Sequence, residues 1–441
     1  MILYWIIFSL ILFFSIKDWK KTVIVWLPVQ MLFNECICLK YTPPAVSLVL
    51  AVDALLLLEY FIMRPKKGLN NSPFLFNTAF AAYLVSYAVS MIFSIVSFSE
   101  VLTGTIKYFI QNFIIVFLFQ KALDDNEDIK LFFKTSFIII ILIVSLGLYE
   151  SVLKDNPVLD YVYLHAPTDM IKGKMYYIPP FASFLGDLQM RYGMVRAYSF
   201  FGIHIAFGCA CVLFLYLYLY LFRHRINYIN KKQVLIGSIL LLLGILLSNS
   251  KTPMVGLLFF FFAFFGFKHI FNFKTFVALS ILICVILMYA PNYLNNITAL
   301  FDADIAEEGG GSNVSMRVRQ LDVALNMFFN NPLFGNGVGS IPIMMNVGSN
   351  SDLLGAESSW LKILPERGLI GAVAYIILYH QIYIKWKKVV DKRELLLFLC
   401  GLMAMETVTG FMNFPIFGSI LICIYRYKVL MCQNNIKLII N

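Results

Sequence analysis

Arginines are concentrated in two polar segments of an otherwise strongly apolar chain. One segment is Arg191-Tyr-Gly-Met-Val-Arg196, and the other runs from Arg317 and Arg319 to Glu357. A charged side chain beside membrane hydrocarbon costs free energy unless it is solvated or paired with an opposite charge. Such a cluster is therefore a candidate functional site. Because guanidinium groups hold phosphate oxygens in a bidentate manner, these segments predict a site for a phosphate-bearing substrate.

The elements that position these residues are predicted to be membrane-spanning helices. Of the 441 residues, 60% are hydrophobic and 14% are charged. Apolar runs of about 17–25 residues recur, long enough to cross a ~30 Å hydrocarbon core as helices. The alternating segments typical of a β-barrel are not seen. We therefore predict an all-α polytopic membrane protein with about 12–14 transmembrane helices. The candidate spans are residues 1–16, 22–38, 45–63, 74–98, 101–120, 131–149, 197–222, 233–249, 253–267, 275–290, 368–384, 394–409 and 412–425.

The net charge of +10 is explained by membrane orientation. With the amino terminus outside, most basic residues fall in the inner loops, as the positive-inside rule requires. This distribution excludes a nucleic-acid partner and puts two long loops on the outer face. The predicted organisation is N-terminal helices over 1–149, a first outer loop over 150–196, central helices over 197–290, a second outer loop over 291–367, and C-terminal helices with an inner tail over 368–441.

The second long loop is predicted to contain short amphipathic helices. Apolar residues repeat at three-and-four spacing over residues 314–330, where Ser312 or Asn313 would cap the first turn. A second short helix, over about 357–364, would lead into the span that begins near Gly368. The glycine-rich turn between these helices is a place where the backbone can approach a ligand.

Four segments between residues 190 and 375 form an ordered set of motifs. We number them in chain order. They are Arg196-Ala-Tyr-Ser199-Phe-Phe201-Gly-Ile-His204-Ile-Ala-Phe-Gly208, then Leu247-Ser-Asn-Ser250-Lys251-Thr252, then Arg317 with Asn331-Pro332-Leu333-Phe334-Gly335-Asn336-Gly337, and finally Glu357-Ser358-Ser-Trp360-Leu361 with Glu366-x-Gly368-Leu-Ile-Gly371.

In this order the four motifs resemble the O-antigen polymerase and O-antigen ligase superfamily of membrane glycosyltransferases, over about the central two-fifths of the chain. Three positions depart from the family pattern. His204 stands where proline is common, and Lys251 takes the place of an arginine. Glu357-Ser358 replaces the His-Asn pair typical of ligases. This last departure favours a polymerase over a ligase and argues against a histidine base.

The resemblance implies a GT-C-like architecture and an inverting glycosyl transfer without metal or other cofactor. A growing glycan would move from its undecaprenyl pyrophosphate carrier onto a lipid-linked repeat unit. The reaction would take place at the periplasmic face of the bacterial inner membrane, in the biosynthesis of lipopolysaccharide or another surface polysaccharide. A chain-length regulator and a flippase are candidate partners.

The site residues follow from the motifs and the expected chemistry. Arg196 and Arg317 would hold the pyrophosphates, and Glu357 would activate the acceptor hydroxyl, since a base within hydrogen-bond reach makes a hydroxyl more nucleophilic. The sequence leaves open which of Arg317 and Arg319 faces the site. The predicted substrate- and pyrophosphate-binding residues are Arg191, Arg319, Lys251, Gly335 and Gly337.

Each assignment has a simpler alternative. Arg196 and Lys251 also suit the ends of spans, Glu357 suits a helix cap, and the glycines suit turns. Two other functions remain open as well: a ligase that transfers the finished glycan to lipid A core, and a flippase or exporter of the same lipid-linked glycans. We see no two-half repeat of matching hydropathy, which weakens the transporter interpretation.

Overall fold

The computed structural model of the chain is built almost entirely of helices. It describes residues 2–41, 45–67, 72–168, 177–182, 190–191, 193–224, 230–270, 298, 314–341, 358–410 and 413–440. The helices are α1 (Ile2–Lys17), α2 (Trp19–Val29), α3 (Leu48–Lys67), α4 (Asn77–Ile92), α5 (Phe98–Phe109), α6 (Ile115–Ala122), α7 (Asn126–Leu153), α8 (Pro157–His165), α9 (His204–Arg223), α10 (Lys231–Leu247), α11 (Lys251–Ile270), α12 (Val314–Asn330), α13 (Ser359–Trp386), α14 (Lys392–Val408) and α15 (Phe414–Ile440). A π-helical segment, Ile110–Ile114, joins α5 to α6.

Helices long and apolar enough to cross a membrane confirm the prediction of a helical membrane protein. Within the described ranges, four such stretches are Phe98–Ala122, Asn126–Leu153, His204–Arg223 and Phe414–Met431. Shorter apolar helices cover Leu3–Lys17, Asn77–Ile92 and Lys251–Phe262. The candidate span 275–290 lies outside the described residues. The full number of spans, the boundaries of the five predicted regions and the GT-C-like architecture stay predictions.

Helix α9 is the central element of the described core. Nearly all of its residues are buried, and it packs against α10, α11 and α15. Its sequence is apolar on every face, as expected of a helix that is surrounded by other helices. Because α9 starts at His204, inside the first motif, the buried helix fixes the position of the end of that motif.

The first long loop contains local structure that the sequence analysis did not predict. Helix α8 starts after Asn156, whose side chain accepts a hydrogen bond from the backbone N–H of Leu159. Strands β3 (Met190–Arg191) and β4 (Met194–Val195) then form a short antiparallel hairpin in which Arg191 pairs with Met194. A second two-stranded hairpin joins β1 (Cys38–Lys40) to β2 (Val46–Ser47).

The helices predicted in the second long loop are present. Helix α12 covers the predicted range 314–330. The second predicted helix is continuous with the following span in α13, which is interrupted at Gly368 by a non-helical conformation of φ 58° and ψ −154°. The cap of α13 is Ser358, whose hydroxyl accepts a hydrogen bond from the N–H of Trp360. Glu357, which the sequence analysis also considered as a cap, lies outside the described residues.

Candidate functional site

The first and second motifs pack against each other. The N–H of Ala197 donates to the carbonyl of Leu247 at 3.0 Å. The side-chain amide of Asn249 donates to the carbonyl of Arg191 at 3.4 Å. Helix α9 also meets the second motif closely, because a β-carbon at Gly208 would lie 2.5 Å from the hydroxyl oxygen of Ser248. The hairpin that carries Arg191 is thus joined to the turn that precedes Lys251.

Glu150, near the end of α7, fixes the backbone directly after Arg196. Its Oε2 accepts hydrogen bonds from the N–H groups of Tyr198 and Ser199, each at 2.9 Å, and from the side-chain amide of Asn156 at 2.9 Å. Glu150 is fully buried. A buried carboxylate that accepts several N–H bonds holds its donors in one arrangement, since losing it would leave them unsatisfied. Sequence reasoning missed this residue, although a lone acid within an apolar span was the available signal.

The positive charges of Arg191 and Arg196 both act electrostatically on the buried ring of His204. The ring of Tyr198 contacts the same histidine edge-on, with the centroids 5.2 Å apart. Burial raises the pKa of Tyr198 to about 12, although the positive charge of Arg196 opposes the shift. Guanidinium groups bind anions such as phosphate well, so the two positive charges that act on His204 make this segment a candidate for anion binding.

The third and fourth motifs form a second junction, centred on glycines. Gly335, Gly337 and Gly368 all have positive φ angles. The N–H of Asn336 donates to the carbonyl of Pro365 at 2.8 Å, and that of Gly337 donates to the carbonyl of Glu366 at 3.0 Å. Turn geometry and close packing account for these glycines. Contact of Gly335 or Gly337 with a substrate stays a prediction.

Arg367 is a buried cation that the sequence analysis did not select. Its guanidinium lies over the ring of Tyr87 at 4.6 Å and over that of Tyr83 at 5.3 Å, and it is 6% exposed. The neighbouring Glu366 uses Oε1 to accept a hydrogen bond from the N–H of Gly339 at 3.0 Å. Burial raises the pKa of Glu366, and the charge of Arg367 opposes that shift. In the sequence, the only sign that Arg367 could matter was its place between Glu366 and Gly368 in the fourth motif.

The two arginines of α12 differ in exposure. The packed face of this helix contains Gln320, Ala324 and Met327. Arg317, three positions before Gln320, is half-buried, whereas Arg319 is exposed. Residues three apart lie on the same helix face. Arg317 is therefore the arginine on the side of α12 that packs against the protein.

Glu357 and Lys251 are the remaining predicted site residues. Glu357 lies outside the described residues, so its predicted role as base stays a prediction. Lys251 is half-buried at the first position of α11. The next residue, Thr252, is bonded through its hydroxyl to that of Thr409 at 2.8 Å, which links the second motif to the end of α14.

The helical membrane fold and its arginine-bearing junctions define a polytopic membrane protein with a candidate anion-binding site. Residues 236–376 match a family described as O-antigen ligase. Residues 236–376 are therefore similar to the O-antigen polymerase and ligase superfamily, whose members are glycosyltransferase-like enzymes, and the match does not separate polymerases from ligases. The second, third and fourth motifs lie inside the matched range. A comparison with curated proteins gave no match.

Proposed function

We propose that this protein polymerises lipid-linked oligosaccharide repeat units at the outer face of the inner membrane. The observation that carries the proposal is the packing of the first motif against the second. The hydrogen bonds from Ala197 to Leu247 and from Asn249 to Arg191 join the arginine hairpin to the domain matched at 236–376. This contact supports a single anion site to which Arg191, Arg196 and Lys251 all contribute.

The proposed reaction is a direct displacement at the anomeric carbon of the donor glycan. The acceptor hydroxyl oxygen forms the new glycosidic bond, while the bond from the anomeric carbon to the pyrophosphate oxygen breaks. The hydroxyl proton passes to Glu357, and lipid pyrophosphate leaves with its charge held by Arg196 and Arg317. A single displacement inverts the configuration at that carbon. Preorganised cations favour such a transition state because they act where negative charge develops.

The role of Arg196 depends on how it is held. The Glu150 hydrogen bonds to Tyr198 and Ser199 fix the chain two and three residues after it. These hydrogen bonds limit the positions that the guanidinium group of Arg196 can reach. A group that stabilises a transition state has to be held in such a limited set of positions. The proposal assigns the supporting positive charge to Arg191, Lys251 and Arg319.

A ligase is the second candidate, because the matched family carries that description. The two reactions share donor and leaving group and differ only in the acceptor. A polymerase takes a lipid-linked repeat unit, whereas a ligase takes lipid A core. The replacement of a His-Asn pair by Glu357-Ser358 favours the polymerase.

The test is a choice of acceptor. Purified protein in liposomes receives lipid-linked glycan as donor, with lipid-linked repeat unit and lipid A core present together. We expect the repeat unit to be elongated and the core to stay unmodified. Transfer to the core would establish the ligase instead. Movement of donor across the bilayer without any transfer product would contradict both and favour the flippase.

A further inference from the structure

A cavity lined by side-chain amides lies beside the first motif. Its volume is about 270 Å³, just below the ~300–1,000 Å³ range of small-molecule sites. Residues Phe200–Ile203 form part of its wall, starting four positions after Arg196 in the same segment. The amide residues that line it are Gln30, Asn34, Gln111, Asn112 and Asn413.

The π-helical segment between α5 and α6 supplies two of these amides. Gln111 and Asn112 both lie within Ile110–Ile114. A π-helical turn inserted in an α-helix shifts the direction of its side chains and occurs often at functional sites. Here the side chain of Gln111 donates to the hydroxyl of Ser47 at 3.4 Å, and that of Asn112 donates to the carbonyl of Tyr108 at 2.9 Å. Both residues line the cavity while they keep these local hydrogen bonds.

Asn34 is a buried amide in the wall of the cavity. Its side chain is 7% exposed, and its Oδ1 accepts a hydrogen bond from the N–H of Cys36 at 2.9 Å. Its Nδ2 has no hydrogen-bond partner among the described residues. A buried N–H group left unsatisfied costs about 1–3 kcal/mol. Asn34 therefore keeps its place in the wall of the cavity at a cost to stability.

The lining suits one class of ligand, a carbohydrate. Sugar hydroxyls both donate and accept hydrogen bonds, and each amide side chain offers a donor and an acceptor side by side. Phe200 and Phe201 add aromatic surface to the wall. Among the described residues that line the cavity there is no arginine or lysine. Lys107 lies 3.7 Å from the lining acid Glu35. The cavity therefore lacks the grouped arginines that a pyrophosphate requires.

We infer that this amide-lined cavity binds a sugar residue of the lipid-linked glycan, next to the arginines that hold its pyrophosphate. The inference rests on the proposed function and adds a recognition site to it. The cavity and Arg196 share one segment, since the lining residues 200–203 begin four positions after Arg196 and Glu150 fixes the stretch between them. Sugar and phosphate are thereby recognised by different residues, and their affinities can be changed separately.

The experiment measures two affinities in purified protein held in nanodiscs. The first probe is the lipid-free oligosaccharide released from the repeat unit by mild acid, and the second is inorganic pyrophosphate. The double variant Gln111→Leu with Asn112→Leu removes two amides. We expect it to bind the oligosaccharide at least about tenfold more weakly, as the loss of two neutral hydrogen bonds predicts, and to bind pyrophosphate as before. Asn34→Leu, which keeps the side-chain shape, is expected to act in the same direction.

The matched control is Asn230→Leu, an amide that caps α10 and does not line the cavity. We expect it to leave the oligosaccharide affinity unchanged.

Unchanged oligosaccharide affinity in the cavity variants, or an equal loss for both probes, would overturn the inference. If wild-type protein elongates the glycan while the cavity variants bind it normally, only the sugar site is refuted. If wild-type protein transfers no glycan at all, the proposed function is refuted, whereas selective loss of oligosaccharide binding still supports a sugar site.

Discussion

Gly368 packs directly on the backbone of Gly335. A β-carbon at Gly368 would lie 2.7 Å from the backbone nitrogen of Gly335 and 2.6 Å from the carbonyl carbon of Leu333. The N–H groups of Leu369 and Ile370, which begin the helical segment after the break, donate to the carbonyls at positions 332 and 333. The third and fourth motifs are therefore two halves of one junction, which explains why both contain glycine at fixed offsets.

We expect Gly368→Ala to destabilise the protein strongly. The alanine would have to adopt a φ of 58° and would also collide with Leu333, so the cost is at least about 1–3 kcal/mol from backbone strain alone. Thermal unfolding in detergent measures the change. The control is Gly104→Ala, because a β-carbon there meets no atom within 4 Å. Replacing a helical glycine by alanine should raise stability by about 0.5–1 kcal/mol. Equal unfolding midpoints for the two variants would contradict the packing argument.

Glu150 is predicted to act through the position of Arg196. Glu150→Ala leaves the N–H groups of Tyr198 and Ser199 unsatisfied, at about 1–3 kcal/mol for each buried donor. Glu150→Gln keeps an oxygen that can accept both bonds. We expect the alanine variant to bind inorganic pyrophosphate at least about tenfold more weakly, a loss of ~1.4 kcal/mol, and the glutamine variant to stay near wild type. Wild-type affinity in the alanine variant would refute the positioning role.

Arg196 is predicted to need its guanidinium rather than its charge alone. Arg196→Lys keeps the positive charge but loses the planar fork that holds two phosphate oxygens. Loss of one such charge-assisted hydrogen bond, about 1.5–3 kcal/mol, predicts a fall in kcat/KM of about ten- to a hundredfold. Glycan elongation in liposomes gives the rate. Arg393→Lys, in the first turn of α14 away from the four motifs, should leave the rate unchanged. An Arg196→Lys enzyme as fast as wild type would show that the fork is not used.

Asp160 is predicted to make stability depend on pH. Burial and the nearby Asp155 raise the pKa of Asp160 from 3.8 to about 6, although a hydrogen bond from Tyr177 opposes the shift. Because the folded state then binds a proton more tightly than the unfolded state, this group's contribution to stability falls as pH rises from about 4 to about 6 and is flat above. Asp160→Asn should remove that decline. Unfolding midpoints between pH 4 and 7 test this, with the exposed Asp322→Asn as control. Parallel curves for wild type and Asp160→Asn would contradict the prediction.

The helices could be predicted from the sequence because their signal is local. Apolar length marks spans such as Asn126–Leu153, and three-and-four periodicity marks α12 over its whole length. The order of the four motifs likewise predicted the family that residues 236–376 match.

Other features depend on contacts between distant residues and leave no local pattern. The two-residue strands that hold Arg191 are too short to show alternation. The Glu150 hydrogen bonds span 48 and 49 positions, and the stacking of Arg367 on Tyr87 joins α13 to α4. The π-helical turn that brings Gln111 and Asn112 to the amide-lined cavity is equally invisible in the apolar pattern of its span.

The central claim is that this chain elongates lipid-linked glycans with Arg196 and Glu357 in the site. The most direct test is product length after purified protein is added to lipid-linked repeat units in liposomes, for wild type, Arg196→Ala and Glu357→Ala. The account predicts a ladder of longer lipid-linked glycans from wild type that is lost or severely shortened in both variants. Repeat units of unchanged length with wild-type protein would contradict it.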